Sequence, residues 1–92
     1  MRPNAPWTYR VDERALKEIA KLDRQIQREI FSYLDTRLAG TRDPRQSGHA
    51  LTGNLKGLWR YRIRDYRLIC QIKDRELVVL VLTVGHRSEI YR

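Results

Sequence analysis

The chain has 92 residues, and its 19 Lys and Arg against 11 Asp and Glu give a net charge of +8 at pH 7. That length leaves room for one hydrophobic core and excludes a second domain, so we expect a single domain over residues 1–92, with residues 1–6 as a flexible lead. The excess of positive charge favours a polyanionic partner such as nucleic acid, although an acidic protein or an anionic membrane surface would also be attracted.

The cysteine content and the hydropathy pattern indicate the cellular compartment in which the protein is expected. A single cysteine, Cys70, excludes an intrachain disulfide and fits a reducing compartment. Because Cys70 lies inside an apolar run, we interpret it as a buried structural thiol and not as a nucleophile. The sequence has no long apolar stretch of the kind found in transmembrane helices or signal peptides, so we expect a cytoplasmic protein without a membrane partner.

The N-terminal half predicts one strand followed by two helices. Residues 7–11 alternate aromatic and β-branched side chains, as a strand does. Asp12 is a candidate N-cap for a first helix over residues 13–22. A second helix is predicted over residues 24–39, because its apolar side chains recur every four positions and Gly40 follows as a C-terminal glycine.

The C-terminal half predicts an antiparallel sheet. Residues 41–57 contain Pro and three Gly without a sustained period, so they predict an irregular connection anchored by Leu51 or Leu55. Strand formers then return in three runs, LWRYRI, YRLICQIK and ELVVLVLTV, which predict a three-stranded meander. The last run is apolar at nearly every position, which predicts a strand that is buried on both faces or lies in the centre of the sheet. The predicted fold class is α+β with the order β-α-α-β-β-β and an optional short C-terminal strand.

The register of the first hairpin predicts a cluster of arginines. If the turn centres on residues 64–65, Arg62 faces Arg67 and Arg60 faces Ile69, while the alternate positions form an apolar face for the helices. Alternate residues of a strand lie about 6.6–7 Å apart, so the three arginines share a patch about 10 Å across. Like charges directly opposite each other destabilise a sheet, and a bound phosphate would explain their placement. A solvated face whose arginine stems cover apolar surface is the alternative interpretation.

The C-terminal segment GHRSEIYR places a histidine, an arginine and a tyrosine, His86, Arg87 and Tyr91, just after the last predicted strand. Strict alternation would put Arg87 on the helix side, but Gly85 can break the alternation, so the direction of that side chain stays open. Imidazole titrates near neutral pH, which makes His86 a candidate for proton transfer. His49 lies in a glycine-bounded loop and is interpreted as a solvated side chain.

The segments DERALKEIAKLD, LKGLWRYRIRDYRLICQI and GHRSEIY resemble the RelE family of type II toxin–antitoxin toxins, within the RelE/ParE superfamily. The resemblance extends over residues 9–91, and RYRIRDYRLI and HRSEIY are its most specific parts. It implies two helices packed on a curved, mainly antiparallel sheet. It also implies a ribosome-dependent mRNA endonuclease without metal or other cofactor, restrained by an acidic RelB-like antitoxin in a hetero-oligomer.

The same resemblance assigns roles to individual residues. The candidate catalytic residues are Arg60, Arg62, Arg67, Arg87 and Tyr91, of which the first three also bind the phosphate. Arg60 and Arg62 stand where a well-known member of the family has lysines. The implied reaction is attack of a ribose 2′-hydroxyl on the adjacent phosphorus. A free tyrosine is only about 0.1% ionised at neutral pH, so Tyr91 needs nearby positive charge to act as the base, and His86 is the alternative proton-transfer group.

Two other functions fit parts of the sequence. A ParE-like toxin has the same fold but binds and inhibits DNA gyrase without cutting RNA. Chains of that branch tend to lack the arginine and tyrosine set that is present here. A plain basic RNA-binding module is the third interpretation, and its binding would be strongly salt-dependent without strand cleavage.

Overall fold

The structure, a computed structural model, describes residues 7–90, so the expected lead and Tyr91 lie outside the described residues. Its elements are β1 (Thr8–Val11), α1 (Glu13–Ala20), α2 (Arg24–Tyr33), β2 (His49–Ala50), β3 (Trp59–Ile63), β4 (Tyr66–Lys73) and β5 (Val78–His86). The sheet has the order β1-β5-β4-β3-β2, with β1 parallel to β5 and all other pairs antiparallel. The two helices pack on one face, and the α+β prediction is confirmed.

Helix α1 covers the β5 side of the sheet. The Asp12 side chain accepts a hydrogen bond from the Arg14 N–H, as expected of an N-cap, and Ala15 and Ile19 are buried. The helix ends at Ala20, two residues earlier than predicted, because the Leu22 N–H bonds to the Ile19 carbonyl at 2.9 Å in a tighter turn. That turn lets the chain reverse into α2.

The helical segment predicted over residues 24–39 is present, but its winding changes after α2 ends at Tyr33. Residues Leu34–Leu38 form a π-helical turn, in which the Ala39 N–H bonds to the Leu34 carbonyl at 2.9 Å. This turn keeps both leucines fully buried. Gly40 follows with a φ of +81°, and its N–H donates to the Trp7 carbonyl at 2.8 Å, which ties the helix end to the start of β1.

The predicted meander is confirmed residue by residue in its first hairpin. Tyr61 pairs with Leu68 and Trp59 with Cys70, and all of these except the half-buried Trp59 are fully buried against the helices. Burial raises the pKa of the Cys70 thiol, in agreement with a structural cysteine. Strand β5 lies between β1 and β4, as its apolar run predicted.

The connection between α2 and β3 is more ordered than the sequence indicated. It contains the short strand β2 and the 3₁₀ turns Pro44–Gln46 and Gly53–Leu55. The expected anchors, Leu51 and Leu55, are only half-buried. Two aromatic side chains of β3 hold the connection instead: the Tyr61 hydroxyl donates to the Pro44 carbonyl at 2.7 Å, and the Trp59 indole donates to the Ser47 carbonyl at 2.9 Å.

One edge of the sheet, along the second half of β5, is covered by a helix side chain. The edge of β5 is left open beyond its pairing with β1, and there Glu18 of α1 accepts hydrogen bonds from the Val84 N–H at 2.8 Å and the Thr83 hydroxyl at 2.8 Å. Among residues 7–90, neither helix combines the length and the hydrophobicity of a membrane-spanning segment.

Gly48 is the residue that lets β2 approach β3. It has a φ of +82°, and an added Cβ would lie 2.4 Å from the Arg60 carbonyl oxygen and 2.7 Å from the Trp59 indole nitrogen. Gly53 has a φ of +62° but no atom within 4 Å of the same position. Both glycines have a positive φ, but only Gly48 also lies in close contact with a neighbouring strand, so comparing the two positions distinguishes the cost of backbone strain from the cost of a steric clash.

We expect Gly53→Ala to lower the free energy of unfolding by about 1 kcal/mol, the strain of a left-handed φ at a non-glycine residue. Gly48→Ala should cost clearly more, because it adds the clash with β3 to the same strain. Denaturant unfolding of the two variants measures the difference. Equal losses would contradict a close-contact role for Gly48.

Candidate functional site

The predicted cluster of arginines is present on the face of the sheet that the helices leave open. In the observed register Arg62 of β3 lies opposite Arg67 of β4, and Arg60 lies opposite Ile69. We call Arg60, Arg62 and Arg67 the arginine face. Within residues 7–90, none of the three forms an ion pair with a carboxylate. Their mutual repulsion is therefore not neutralised by the protein around them.

Arg67 is the most constrained member of the arginine face. Its side chain is nearly buried, with 9% of the residue exposed. Nη1 donates to the carbonyl oxygens of Arg64 and Tyr66 at 3.1 and 3.2 Å, so the main chain of the β3–β4 turn fixes one end of the guanidinium. Its other nitrogens make no hydrogen bond within residues 7–90. A preoriented donor of this kind is suited to an anionic oxygen.

Arg60 has a donor that the described part of the chain leaves unsatisfied. Its Nε atom is buried and has no hydrogen-bond partner there. A buried polar group left without a partner costs about 1–3 kcal/mol, so an incoming acceptor would be bound favourably. Arg62 is exposed on the same face. The arginine face thus combines the anchored guanidinium of Arg67, the unsatisfied one of Arg60 and the exposed one of Arg62 around the buried side chain of Ile69.

A β-bulge in β5 determines which side chains of that strand border the arginine face, on the side away from β2. Ile69 pairs with Thr83 but Cys70 pairs with Val81, so Leu82 has no partner and the alternation of β5 reverses. As a result Gly85, opposite Arg67, lies on the open face. The reversal comes from the bulge and not from Gly85, which the sequence had suggested as the point where alternation breaks.

Arg87 lies beyond β5, beside the β3–β4 turn. Its N–H donates to the Asp65 carbonyl at 2.7 Å, and its Nε is 3.8 Å from the Asp65 carboxylate. Both side chains are more than half exposed, so the ion pair adds little stability. The contact brings Arg87 to the turn that also anchors Arg67. The sequence had left the position of this arginine open.

The chain turns back after β5 and does not form the optional C-terminal strand within residues 87–90. The Ile90 N–H bonds to the His86 carbonyl at 3.0 Å. Ile90 then covers Gly85: a Cβ added to Gly85 would lie 3.1 Å from the Ile90 Cδ1 atom. Tyr91 comes next in the sequence, so the structure does not test its predicted role.

His86 is not brought to the arginine face. It pairs with Tyr66, one step along the strands from the Arg67–Gly85 pair, and the two rings meet edge to face at 5.6 Å. Its Nδ1 accepts a hydrogen bond from the Ser88 N–H at 3.1 Å. The imidazole is therefore occupied in holding the turn that follows β5.

The other histidine occupies a different position from the one the sequence indicated. His49, interpreted as a solvated loop residue, is exposed as expected, but it lies in β2 directly opposite Arg60 and not in a loop. A two-residue strand gives no periodic signal, which is why sequence analysis missed this pairing. Within residues 7–90 no three His, Cys, Asp or Glu side chains come together as a metal site would require.

The contact between Gly85 and Ile90 can be tested by a double-mutant cycle. Gly85→Val should push Ile90 off the open face and weaken the turn at residues 87–90, whereas Ile90→Ala should remove the clash that the valine creates. We expect a coupling free energy of about 1 kcal/mol between the two sites in denaturant unfolding. Faster amide exchange at Glu89 and Ile90 should accompany Gly85→Val alone. Strictly additive free energies would contradict the contact.

Comparison with known proteins identifies the family. Residues 9–91 match the protein-family model for the ParE toxin of the type II toxin–antitoxin system parDE. The toxin RelG of Mycobacterium tuberculosis is 32% identical over 87 residues, which are 95% of this chain and 98% of the relative. The mRNA interferase toxin RelE of Escherichia coli is 36% identical over 84 residues, 87% of this chain and 84% of the relative.

Solved structures agree with these sequence relatives. The toxin–antitoxin complex RelBE2 of M. tuberculosis contains a chain that matches with a TM-score of 0.81 and 29% identity, covering 92% of this chain and 95% of that one. The isolated E. coli RelE toxin matches with a TM-score of 0.60 and 30% identity, covering 92% and 90%. The resemblance found in the sequence is confirmed, and the chain belongs to the RelE/ParE superfamily of toxins from type II toxin–antitoxin systems.

Proposed function

We propose that this toxin is a metal-independent endoribonuclease that cleaves mRNA on the ribosome. The observation that carries the proposal is the arginine face, whose three guanidinium groups have no carboxylate partner within residues 7–90. The relative from E. coli, named an mRNA interferase, supports the same activity. Because ribosomes are the proposed site of action, we expect the protein to work in the cytoplasm.

The arginine face would bind the phosphodiester that is cut. Attack by the ribose 2′-oxygen places an extra negative charge on the phosphate oxygens in the transition state. Arg67, held by the main chain of the β3–β4 turn, would stabilise that charge without having to reorganise. Arg60 would gain an acceptor for its buried Nε. Arg62 and Arg87 would add positive charge from the edges of the site.

The products of this reaction are a cyclic phosphate on one strand and a 5′-hydroxyl on the other. A proton leaves the 2′-hydroxyl, and a proton is taken up by the departing 5′-oxygen, so the site needs groups that exchange protons. Arginine stays protonated up to a pH of about 12 and cannot serve as the acceptor. By family resemblance we assign one of these transfers to Tyr91.

We further propose that an acidic RelB-like antitoxin holds this chain in a hetero-oligomer. The relative with the TM-score of 0.81 was solved as a toxin–antitoxin complex. The net charge of +8 on this chain is complementary to an acidic partner.

Arg67→Ala tests the proposed nuclease. On ribosomes programmed with labelled mRNA, the purified toxin should cut the message, and the variant should be slower by at least about 10²-fold, since it loses a preoriented donor to the transition state. Arg75→Ala removes the same charge from an exposed turn at the other end of β4 and should keep wild-type activity. Normal cleavage by Arg67→Ala would contradict the assignment.

The same preparation separates the competing function. A ParE-like toxin would leave the mRNA intact and inhibit supercoiling by purified DNA gyrase. We expect no inhibition of gyrase at toxin concentrations that cut the message. Inhibition with intact mRNA would overturn the nuclease proposal in favour of the ParE-like function; the matching family model is that of the ParE toxin.

A further inference from the structure

The edge strand β2 adds a histidine to the arginine face. His49 of β2 is directly opposite Arg60 of β3, and directly opposed residues in an antiparallel pair have Cα atoms about 4.5–5.5 Å apart and side chains on the same face. Arg60 in turn is opposite Ile69, so these three residues form one row across the sheet. The next row contains Arg62 and Arg67. The imidazole therefore borders the same surface as the three guanidinium groups.

The sequence around His49 fixes it in this position. Gly48, immediately before it, approaches β3 so closely that no side chain fits between them. The Trp59 indole and the Tyr61 hydroxyl hold the preceding turn through the Ser47 and Pro44 carbonyls. The His49 side chain is exposed and makes no hydrogen bond or ion pair within residues 7–90. The imidazole is thus held in place by its neighbours in the chain but has no hydrogen-bond partner among residues 7–90.

The arginine face lacks a group that can accept the proton of the attacking 2′-hydroxyl. Guanidinium groups bind a phosphate and stabilise its charge, but they do not accept protons near neutral pH. Imidazole exchanges protons in that range, which makes it the most frequent general base in enzymes. Of the two histidines, His86 is held by Tyr66 and Ser88 on the other side of the sheet, whereas His49 faces the arginines.

We propose that His49 is the general base of the cleavage reaction, a catalytic role that rests on the proposed ribonuclease function. The imidazole takes the proton of the 2′-hydroxyl while the 2′-oxygen forms its bond to phosphorus. The bond between phosphorus and the 5′-oxygen breaks, and that oxygen receives a proton from a donor on the opposite side. The products are a 2′,3′-cyclic phosphate and a 5′-hydroxyl, so no water or other reactant is consumed.

The layout of the sheet fits the geometry of such a displacement. The attacking and leaving oxygens lie on opposite sides of the phosphorus, so the proton acceptor and the proton donor belong on opposite flanks of the bound phosphate. His49 is on β2, and Ile90 covers Gly85 of β5, three strand spacings or about 14 Å away. The arginine face lies between these two flanks. The proton donor to the 5′-oxygen is the role that remains for Tyr91, to which family resemblance assigns a proton transfer, and a neutral phenol can donate a proton at physiological pH.

His49→Gln tests this role, because glutamine keeps hydrogen-bonding capacity but does not titrate. We expect the single-turnover cleavage rate on programmed ribosomes to fall by about 10²–10⁴-fold. The toxin concentration at half-saturation should change by less than about threefold, since the loss lies in the chemical step. Asn54→Ala, an exposed substitution in the same connection, should leave both values unchanged. Thermal unfolding of each variant checks that the fold is intact.

Two further measurements separate a base from the other roles that His49 could have. His49→Arg preserves and increases positive charge, so a cleavage rate close to wild type would show that the residue only attracts RNA and would overturn the proposal. An mRNA with a sulfur in place of the bridging 5′-oxygen has a leaving group that needs no proton. His49→Gln should remain slow on that message, and recovery of the wild-type rate would show that the histidine donates a proton.

The pH dependence gives an independent check. A general base acts only in its unprotonated form, so the rate of the wild-type toxin should rise as the pH is raised, and His49→Gln should lack that rise. The charged group facing the imidazole across the strands is Arg60. An unchanged pH profile in the variant would overturn the assignment. Failure of the wild-type toxin to cut any message would instead reject the proposed function itself.

Discussion

The register of β3 against β4 is the constraint on which the rest of the molecule depends. Side chains alternate between the two faces of a sheet, so the pairing that buries Tyr61 against Leu68 also places Arg62 opposite Arg67 on the open face. A slip of one residue would turn guanidinium groups into the core and tyrosine into solvent. The free energy of burying the apolar face therefore fixes the positions of the charges.

The turn that closes this hairpin is held from several sides. Arg64 adopts a φ of +54°, which is unfavourable for a residue with a side chain, and its guanidinium pairs with Glu29 of α2. The turn carbonyls hold Arg67, and the Asp65 carbonyl holds the main chain of Arg87. One short turn thus orders two of the candidate catalytic arginines and connects them to the helical layer.

Sequence patterns predicted the parts of the fold that rest on repeated side-chain periods. The two helices, the meander and the pairing of Arg62 with Arg67 all follow from apolar residues recurring at helical or strand spacing. The short strand β2 was missed because two residues carry no period, and with it the position of His49 was missed. The signal that could have found it is Gly48, a glycine next to a histidine shortly before a strand.

The bulge in β5 could not be predicted, because Leu82 is an apolar residue inside an apolar run and either alternation satisfies the pattern. This single unpaired residue has a wider consequence for the way such chains can vary. Deleting Leu82 would remove the extra residue and restore regular alternation, so every later residue would keep its present side, whereas deleting Thr83 as well would exchange the inner and outer surfaces of everything after it. After that second deletion Val84 would turn outward and Gly85 would enter the core. Whether β5 tolerates a deletion at this point therefore depends on whether one or two residues are removed, and not on the size of their side chains.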